Sequence, residues 1–148
     1  MRIEVFGRLP EDAADIRKEV FMDEQGFRDE FDDTDGISEH YVMYSDEGEP
    51  IAVCRTYDAP EEGCSIIGRV AVRKAYRNRG LGKQMILFAE QHLRSCGKSN
   101  IRLHAQSTAS GFYSSIGYSA FGEEDLEDEG VPHIWMQKDI GKDSGINK

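Results

Sequence analysis

The sequence predicts an α/β (α+β) protein: a mixed sheet with helices on both faces, in one domain over residues 1–140, with residues 141–148 as a disordered tail. Three observations lead there. Apolar residues alternate between strand-like and helix-like patterns in the order β-α-β-β-β-α-β-α-β-β. No repeat or linker divides the 148 residues, a length that builds one good core. Hydrophobic residues make up 39% and charged residues 31%, the balance of a globular rather than a disordered chain.

Residues 2–6 alternate as a short strand. Pro10, Glu11 and Asp12 supply helix-start chemistry, and Ala13, Ile16, Val20 and Phe21 follow at helical spacing up to Gly26. An acidic loop runs to about Gly36. Tyr41–Tyr44 and Ile51–Tyr57 read as strands joined by a turn at residues 46–50, and Pro60–Gly63 turns the chain into a third strand, Cys64–Val72. The helix from Leu81 to Cys96 places Leu81, Met85, Phe88, Ala89, Leu93 and Cys96 on its apolar face, and Gly97 ends it. Ile101–Ala105 is a strand, Thr108–Ser115 a short helix, and Tyr118–Phe121 with His133–Gln137 a final strand pair.

Composition excludes several function classes. The N-terminus lacks a signal-peptide pattern, no apolar run approaches a membrane span, and a cytoplasmic protein is expected. Cys54, Cys64 and Cys96 are odd in number and lack metal-ligand spacing, so reduced core thiols and no metal are expected. Asp33-Thr34-Asp35-Gly36 hints at a calcium loop, but Phe31 and Val42 stand where its first and twelfth ligands belong. A net charge of −10 argues against nucleic acid. The acid runs at residues 29–35 and 123–129 read as solvated loops. Between Gly63 and Ala89 there is no acid, and Arg69, Arg73, Lys74, Arg77, Arg79 and Lys83 all fall there. One basic corner on an acidic chain suits a small polyanion.

The most telling stretch is Arg77-Asn78-Arg79-Gly80-Leu81-Gly82-Lys83, between a strand and a helix. A helix N-terminus leaves N–H groups unpaired and carries partial positive charge, and glycine lets a phosphate approach the main chain. A Walker A loop fails at Arg77 and Gln84, and a dinucleotide fingerprint fails at Met85. No Gly-x-Ser-x-Gly elbow of a serine hydrolase occurs.

The stretch matches Arg/Gln-x-x-Gly-x-Gly/Ala, and the chain resembles the GNAT (GCN5-related N-acetyltransferase) superfamily, whose acetyl-CoA pyrophosphate loop has that pattern. The element order is that superfamily's topology, which implies a mainly antiparallel sheet. Phe112-Tyr113-Ser114-Ser115-Ile116-Gly117-Tyr118 is similar to its Phe-Tyr-x-x-x-Gly-Phe element. Val20-Phe21-Met22-Asp23-Glu24-Gln25 and Pro132-His133-Ile134-Trp135-Met136 are similar to signatures of its ElaA-like and YjcF-like bacterial subgroup. Where many members carry Asn after the fifth strand, this chain has Gln106 and Ser107, either of which would have to substitute.

The resemblance implies an N-acetyltransferase that takes acetyl-CoA as co-substrate, uses no metal, and acetylates a primary amine of a small molecule or peptide by direct attack. It implies coenzyme A binding by Val70, Ala71, Val72, Arg77, Asn78, Arg79, Gly80, Leu81, Gly82, Lys83, Ala109 and Phe112. By the same resemblance Tyr113 takes the general-acid position, and a phenol of pKa about 10 can protonate a leaving thiolate. Glu24 and His133 are the candidates for the base, directly or through water, each with a structural role as the competing reading. The acid runs suggest a cationic acceptor. A non-catalytic acyl-CoA sensor of the same fold is the alternative. The acceptor's identity and the oligomeric state, a homodimer included, stay open.

Overall fold

The computed structural model describes residues 1–141, and their contacts resolve into two compact units: residues 1–57 with 67–89, and residues 58–66 with 90 onward. Eight strands form a mixed, mainly antiparallel sheet accompanied by helices.

In the first unit β1 (Arg2–Phe6) pairs antiparallel with β2 (Glu39–Tyr44), and β2 with β3 (Pro50–Ala59). β4 (Cys64–Val72) lies beside β3. Residues 40–44 of β2 and 51–56 of β3 are buried throughout, which explains their near-continuous apolar runs. Helix α1 (Glu11–Arg17) starts with two acids, Glu11 and Asp12, that suit the positive end of its dipole. Its buried face joins Ala13 and Ile16 to Val20, Phe21, Val42, Tyr44, Val53 and Ala71 in one core cluster. Truncating such a residue, as in Ile16→Ala, costs about 2–5 kcal/mol.

The helix does not run on to Gly26 in α form. Lys18–Glu24 widens into π-type turns, with Gln25 N–H bonding Val20 O, and Phe27 N–H closes the end on Phe21 O. Such turns are rare and concentrate at functional sites.

In the second unit the start of β4 pairs parallel with β5 (Asn100–Gln106), Ser65 opposite Ile101. Parallel neighbours need a crossover, which helix α2 (Leu81–Ser95) supplies. β5 pairs antiparallel with β8 (Val131–Asp139), which also carries β6 (Ser119–Ala120) and β7 (Asp125–Asp128). Helix α3 (Ser110–Ser115) follows β5 after a single 3-10 turn.

Four expectations change. Cys54 and Cys64 are buried, but Cys96 is exposed, because α2 ends at Ser95 and Gly97, at φ 84°, turns the chain off the apolar face. Phe88 is half-buried, while Ile86 and Glu90 are buried on the same helix. The second acid run is not a loop, since β7 lies within it. The last strand spans Val131–Asp139 rather than His133–Gln137, and Ile140 after it is buried with its N–H on Ser99 O at 2.9 Å. The rest of the expected tail, residues 142–148, lies outside the described residues. Among the described residues no helix is long and apolar enough to cross a membrane.

Candidate functional site

β4 hands over to α2 through one 3-10 turn, Lys74–Tyr76, and the glycine loop. Asn78 (φ 66°) and Gly80 (φ 74°) are left-handed, a conformation that glycine adopts freely and asparagine tolerates. Gly80 O accepts from Gln84 N–H at 3.1 Å. The N–H groups of Leu81, Gly82 and Lys83 therefore precede the first intrahelical bond and carry the positive end of the dipole. Arg79 lies over the Tyr76 ring at 5.3 Å, and Lys83 is exposed. Arg77 donates Nε–H to Val72 O at 2.9 Å, tying the loop back to the end of β4. Its other nitrogens pair with Glu24 at 2.8 and 3.0 Å.

Two predicted site residues thus meet in the first unit. The Arg77 hydrogen bond lowers the pKa of Glu24, with the charges of Arg77 and Lys74 reinforcing it against slight desolvation. A carboxylate held this way has reduced proton affinity. In β4, Ala71 is buried in the core cluster while Val70 and Val72 are half-buried. Arg69, just before them, has φ 53°, a left-handed residue that breaks the regular pleat.

In the second unit Tyr113 is half-buried, packed edge-on against Phe112 at 5.1 Å and Tyr118 at 6.0 Å between ring centroids. Gly117, at φ 103°, ends α3 and lets Tyr118 N–H reach Tyr113 O at 3.0 Å. Tyr118 is anchored through its hydroxyl to buried Glu90, which also receives Lys138 Nζ, both at 2.9 Å. Ala109 is half-buried and Phe112 exposed. His133 is buried on β8, with Nδ1 2.7 Å from Val131 O and its ring stacked on His104 at 4.7 Å.

The acetyltransferase (GNAT) domain family matches residues 10–140. The chain belongs to the GNAT family. YjcF, an uncharacterized N-acetyltransferase of Bacillus subtilis, is 34% identical over 130 residues, covering 86% of this chain and 91% of its own. The crystal structure of an acyl-CoA N-acyltransferase from Pseudomonas aeruginosa has a TM-score of 0.80 at 30% identity, over 93% of this chain and 98% of that one. The crystal structure of Escherichia coli ElaA shares the fold, with a TM-score of 0.79 at 24% identity over 94% and 100%. The resemblance to the ElaA-like and YjcF-like subgroup is borne out.

The basic corner of this GNAT chain is less available to an anion than its composition suggested. Arg69 pairs with Glu30 at 2.9 Å, and Arg73 with Glu19 at 3.2 Å and Glu49 at 3.6 Å. Of the six cations, Arg69 and Arg73 serve the fold. Helix-end N–H groups and the charges of Arg79 and Lys83 are left at the loop, with Arg77 shared with Glu24, and that set still fits a pyrophosphate.

The first acid run is not a solvated loop either. Arg17 is buried and donates to Glu30 Oε2 at 2.8 Å and Asp35 Oδ1 at 2.7 Å, while Arg55 donates to Asp32 Oδ1 and Asp35 Oδ1, both at 2.8 Å. Burial pushes the Asp35 carboxyl up, but the hydrogen bonds and charges of Arg17 and Arg55 outweigh it and take it down to about 2. Sequence reasoning missed Arg17 and Arg55. An arginine on the apolar face of α1 and another inside an apolar strand were the available signals. Ser107, a candidate substitute for the missing Asn, donates its hydroxyl to Glu124 at 2.6 Å.

Proposed function

We propose that this GNAT N-acyltransferase moves an acetyl group from acetyl-CoA to a primary amine of a small molecule or peptide by direct attack. The single observation that carries the reading is the strand–loop–helix of residues 72–83, which offers main-chain donors, left-handed residues and cations within one family match. When bound, acetyl-CoA supplies the activated thioester. Leu81, Gly82 and Lys83 present N–H groups to its phosphates, and Arg77 and Arg79 add charge. Val70, Ala71 and Val72 present main-chain groups to the pantetheine arm, with Ala109 and Phe112 completing the contacts. Tyr113 donates its phenolic proton to the leaving thiolate.

The amine must be neutral to attack, and at its usual pKa of about 10.4 a lysine-like amine is mostly protonated near neutrality. Its proton passes to Glu24 or His133, directly or through water. The lowered pKa of Glu24 weighs against it while Arg77 holds it. The acceptor is read as cationic because Glu24 and the acid runs at residues 29–35 and 123–129 would attract a protonated amine. Glu30, Asp32 and Asp35 drop out of that argument, being neutralised by arginines, which leaves exposed acids such as Asp33, Glu123 and Glu127. The single family match over residues 10–140 supports reading them as one catalytic domain.

The test is acetyl-CoA consumption across polyamines, amino acids, aminoglycosides and lysine peptides, at low and high salt. Turnover with an amine, with KM rising with salt, is expected. Coenzyme A binding without turnover of any amine would favour an acyl-CoA sensor instead. A best acceptor that is neutral, with a KM indifferent to salt, would remove the electrostatic part of the reading.

A further inference from the structure

We propose that His104, Asp128 and His133 form a binding site for one late first-row divalent metal ion, zinc above all. The inference lies wholly within the second unit and does not rest on the acyl-transfer reading. One ligand atom from each residue lies within 4.8 Å of the other two.

The sheet brings these residues together. β5 and β8 pair with His104 opposite Trp135 and Gln106 opposite His133. His104 and His133 therefore sit diagonally on one face, and the rings stack at 4.7 Å and 27°. Asp128 arrives through the β7–β8 hairpin, where it pairs with Val131 across Glu129 (φ 53°) and Gly130 (φ 77°). Two consecutive left-handed residues make the tight hairpin turn whose twist suits the flanking strands. The carboxylate is thereby delivered from the start of the turn.

One nitrogen of each ring is engaged by an oxygen acceptor. A carbonyl only accepts, so His133 Nδ1, 2.7 Å from Val131 O, carries hydrogen, which makes Nε2 the nitrogen that would face an ion. His104 Nε2 meets both carboxylate oxygens of Asp125, at 2.9 and 3.1 Å. A carboxylate or carbonyl on the second nitrogen is the usual support of a metal-bound histidine, and in that arrangement His104 would give Nδ1 to the ion. His133 Nε2 and Asp128 Oδ2 are 3.8 Å apart. That is long for a hydrogen bond, but close to the ~3.3 Å between two ligands of one tetrahedral zinc with bonds near 2.0–2.1 Å. The stacked rings aim their in-plane lone pairs nearly parallel, so binding turns the His104 ring out of its stack on His133 and on Trp135, 4.8 Å away on centroids.

Two imidazoles and one carboxylate select zinc, cobalt or nickel over magnesium or calcium, which demand more oxygen ligands. Three protein ligands leave one position for water. An imidazole whose Nε2 lone pair is given to a metal has none for an amine proton, so an occupied site withdraws His133 from the base role.

The experiment uses the untagged, metal-stripped full chain. Calorimetry with zinc is expected to give one ion per chain, and cobalt to give the intense visible bands of a four-coordinate site. Asp128→Asn and His104→Gln should abolish both signals in chains whose circular dichroism is unchanged. Asp125→Asn, which loses only the support of His104, should weaken affinity by about 10–100-fold. Glu127→Gln, on the same strand, should leave binding unchanged. Zinc binding that survives Asp128→Asn and His104→Gln, failure to bind either ion, or displacement by millimolar magnesium would each overturn the assignment.

Discussion

The Arg77 guanidinium grips the Glu24 carboxylate with two hydrogen bonds, Nη2 to Oε1 at 2.8 Å and Nη1 to Oε2 at 3.0 Å, across 53 residues of chain. One residue belongs to the glycine loop and the other to the π-type turn after α1. A phosphate reaching Arg77 has to compete with Glu24. A pair this exposed contributes about 0.2–1 kcal/mol, so the competition is modest. Glu24→Gln should tighten coenzyme A up to roughly five-fold in calorimetry and leave Tm nearly unchanged. If Glu24 is also the base, kcat falls in the same variant. Weaker coenzyme A binding in Glu24→Gln would mean that the carboxylate orients Arg77 rather than competing for it.

Gly82 stands in the first turn of α2, where a side chain would crowd an approaching phosphate. Gly82→Val should lower coenzyme A affinity by at least about ten-fold, the loss of a charge-assisted contact or more. Thermal melting of the variant, shifted by no more than a few degrees, shows that the fold persists. Unchanged affinity would remove the loop from the binding site.

Tyr113→Phe keeps the ring packed against Phe112 and Tyr118 and removes only the hydroxyl. A general acid contributes about 10²–10⁴-fold, so kcat should fall by that order while coenzyme A affinity holds. Single-turnover kinetics ensure that the chemical step is the one measured. An undiminished chemical step excludes Tyr113 as the proton donor.

Arg17 is 1% exposed and serves two carboxylates at once. Arg17→Met should cost about 3–5 kcal/mol, because Glu30 and Asp35 lose a buried partner, and lower Tm on the order of 10 °C. A loss under about 1 kcal/mol in urea unfolding would show that Arg55 and Arg69 suffice for the cluster.

The same cluster sets an acid limit. The folded pKa of Asp35 is depressed from 3.8 to about 2, so its contribution is fully present above pH 4 and disappears as pH falls through about 2. The shift corresponds to about 2 kcal/mol. Glu30, raised chiefly by burial against the charge of Arg69 and the hydrogen bond from Arg17, acts in the opposite direction and offsets part of the loss. Urea unfolding between pH 5 and pH 2 should show stability falling, and Asp35→Asn should flatten that slope. A slope equal to wild type in Asp35→Asn would move the acid sensitivity elsewhere.

What the sequence by itself determined is what contiguous residues decide. Glycines at 80 and 82 beside a helix start, a 3.6-residue apolar period over α2, and Gly117 after an aromatic pair are set by backbone sterics and helix geometry within a few residues. The order of the elements apart from β7, the strand–glycine loop–helix turn and the family were legible for that reason. Only the tertiary structure decided which charges meet. Arg17 finds Glu30 and Asp35 at separations of 13 and 18 residues, Arg77 finds Glu24 at 53, and His104, Asp128 and His133 come together from three strands. Two runs of acids look alike as composition. One is neutralised by buried arginines and the other is folded into a hairpin facing two imidazoles, because strand register and chain reversal, which no local spacing encodes, choose each carboxylate's partner.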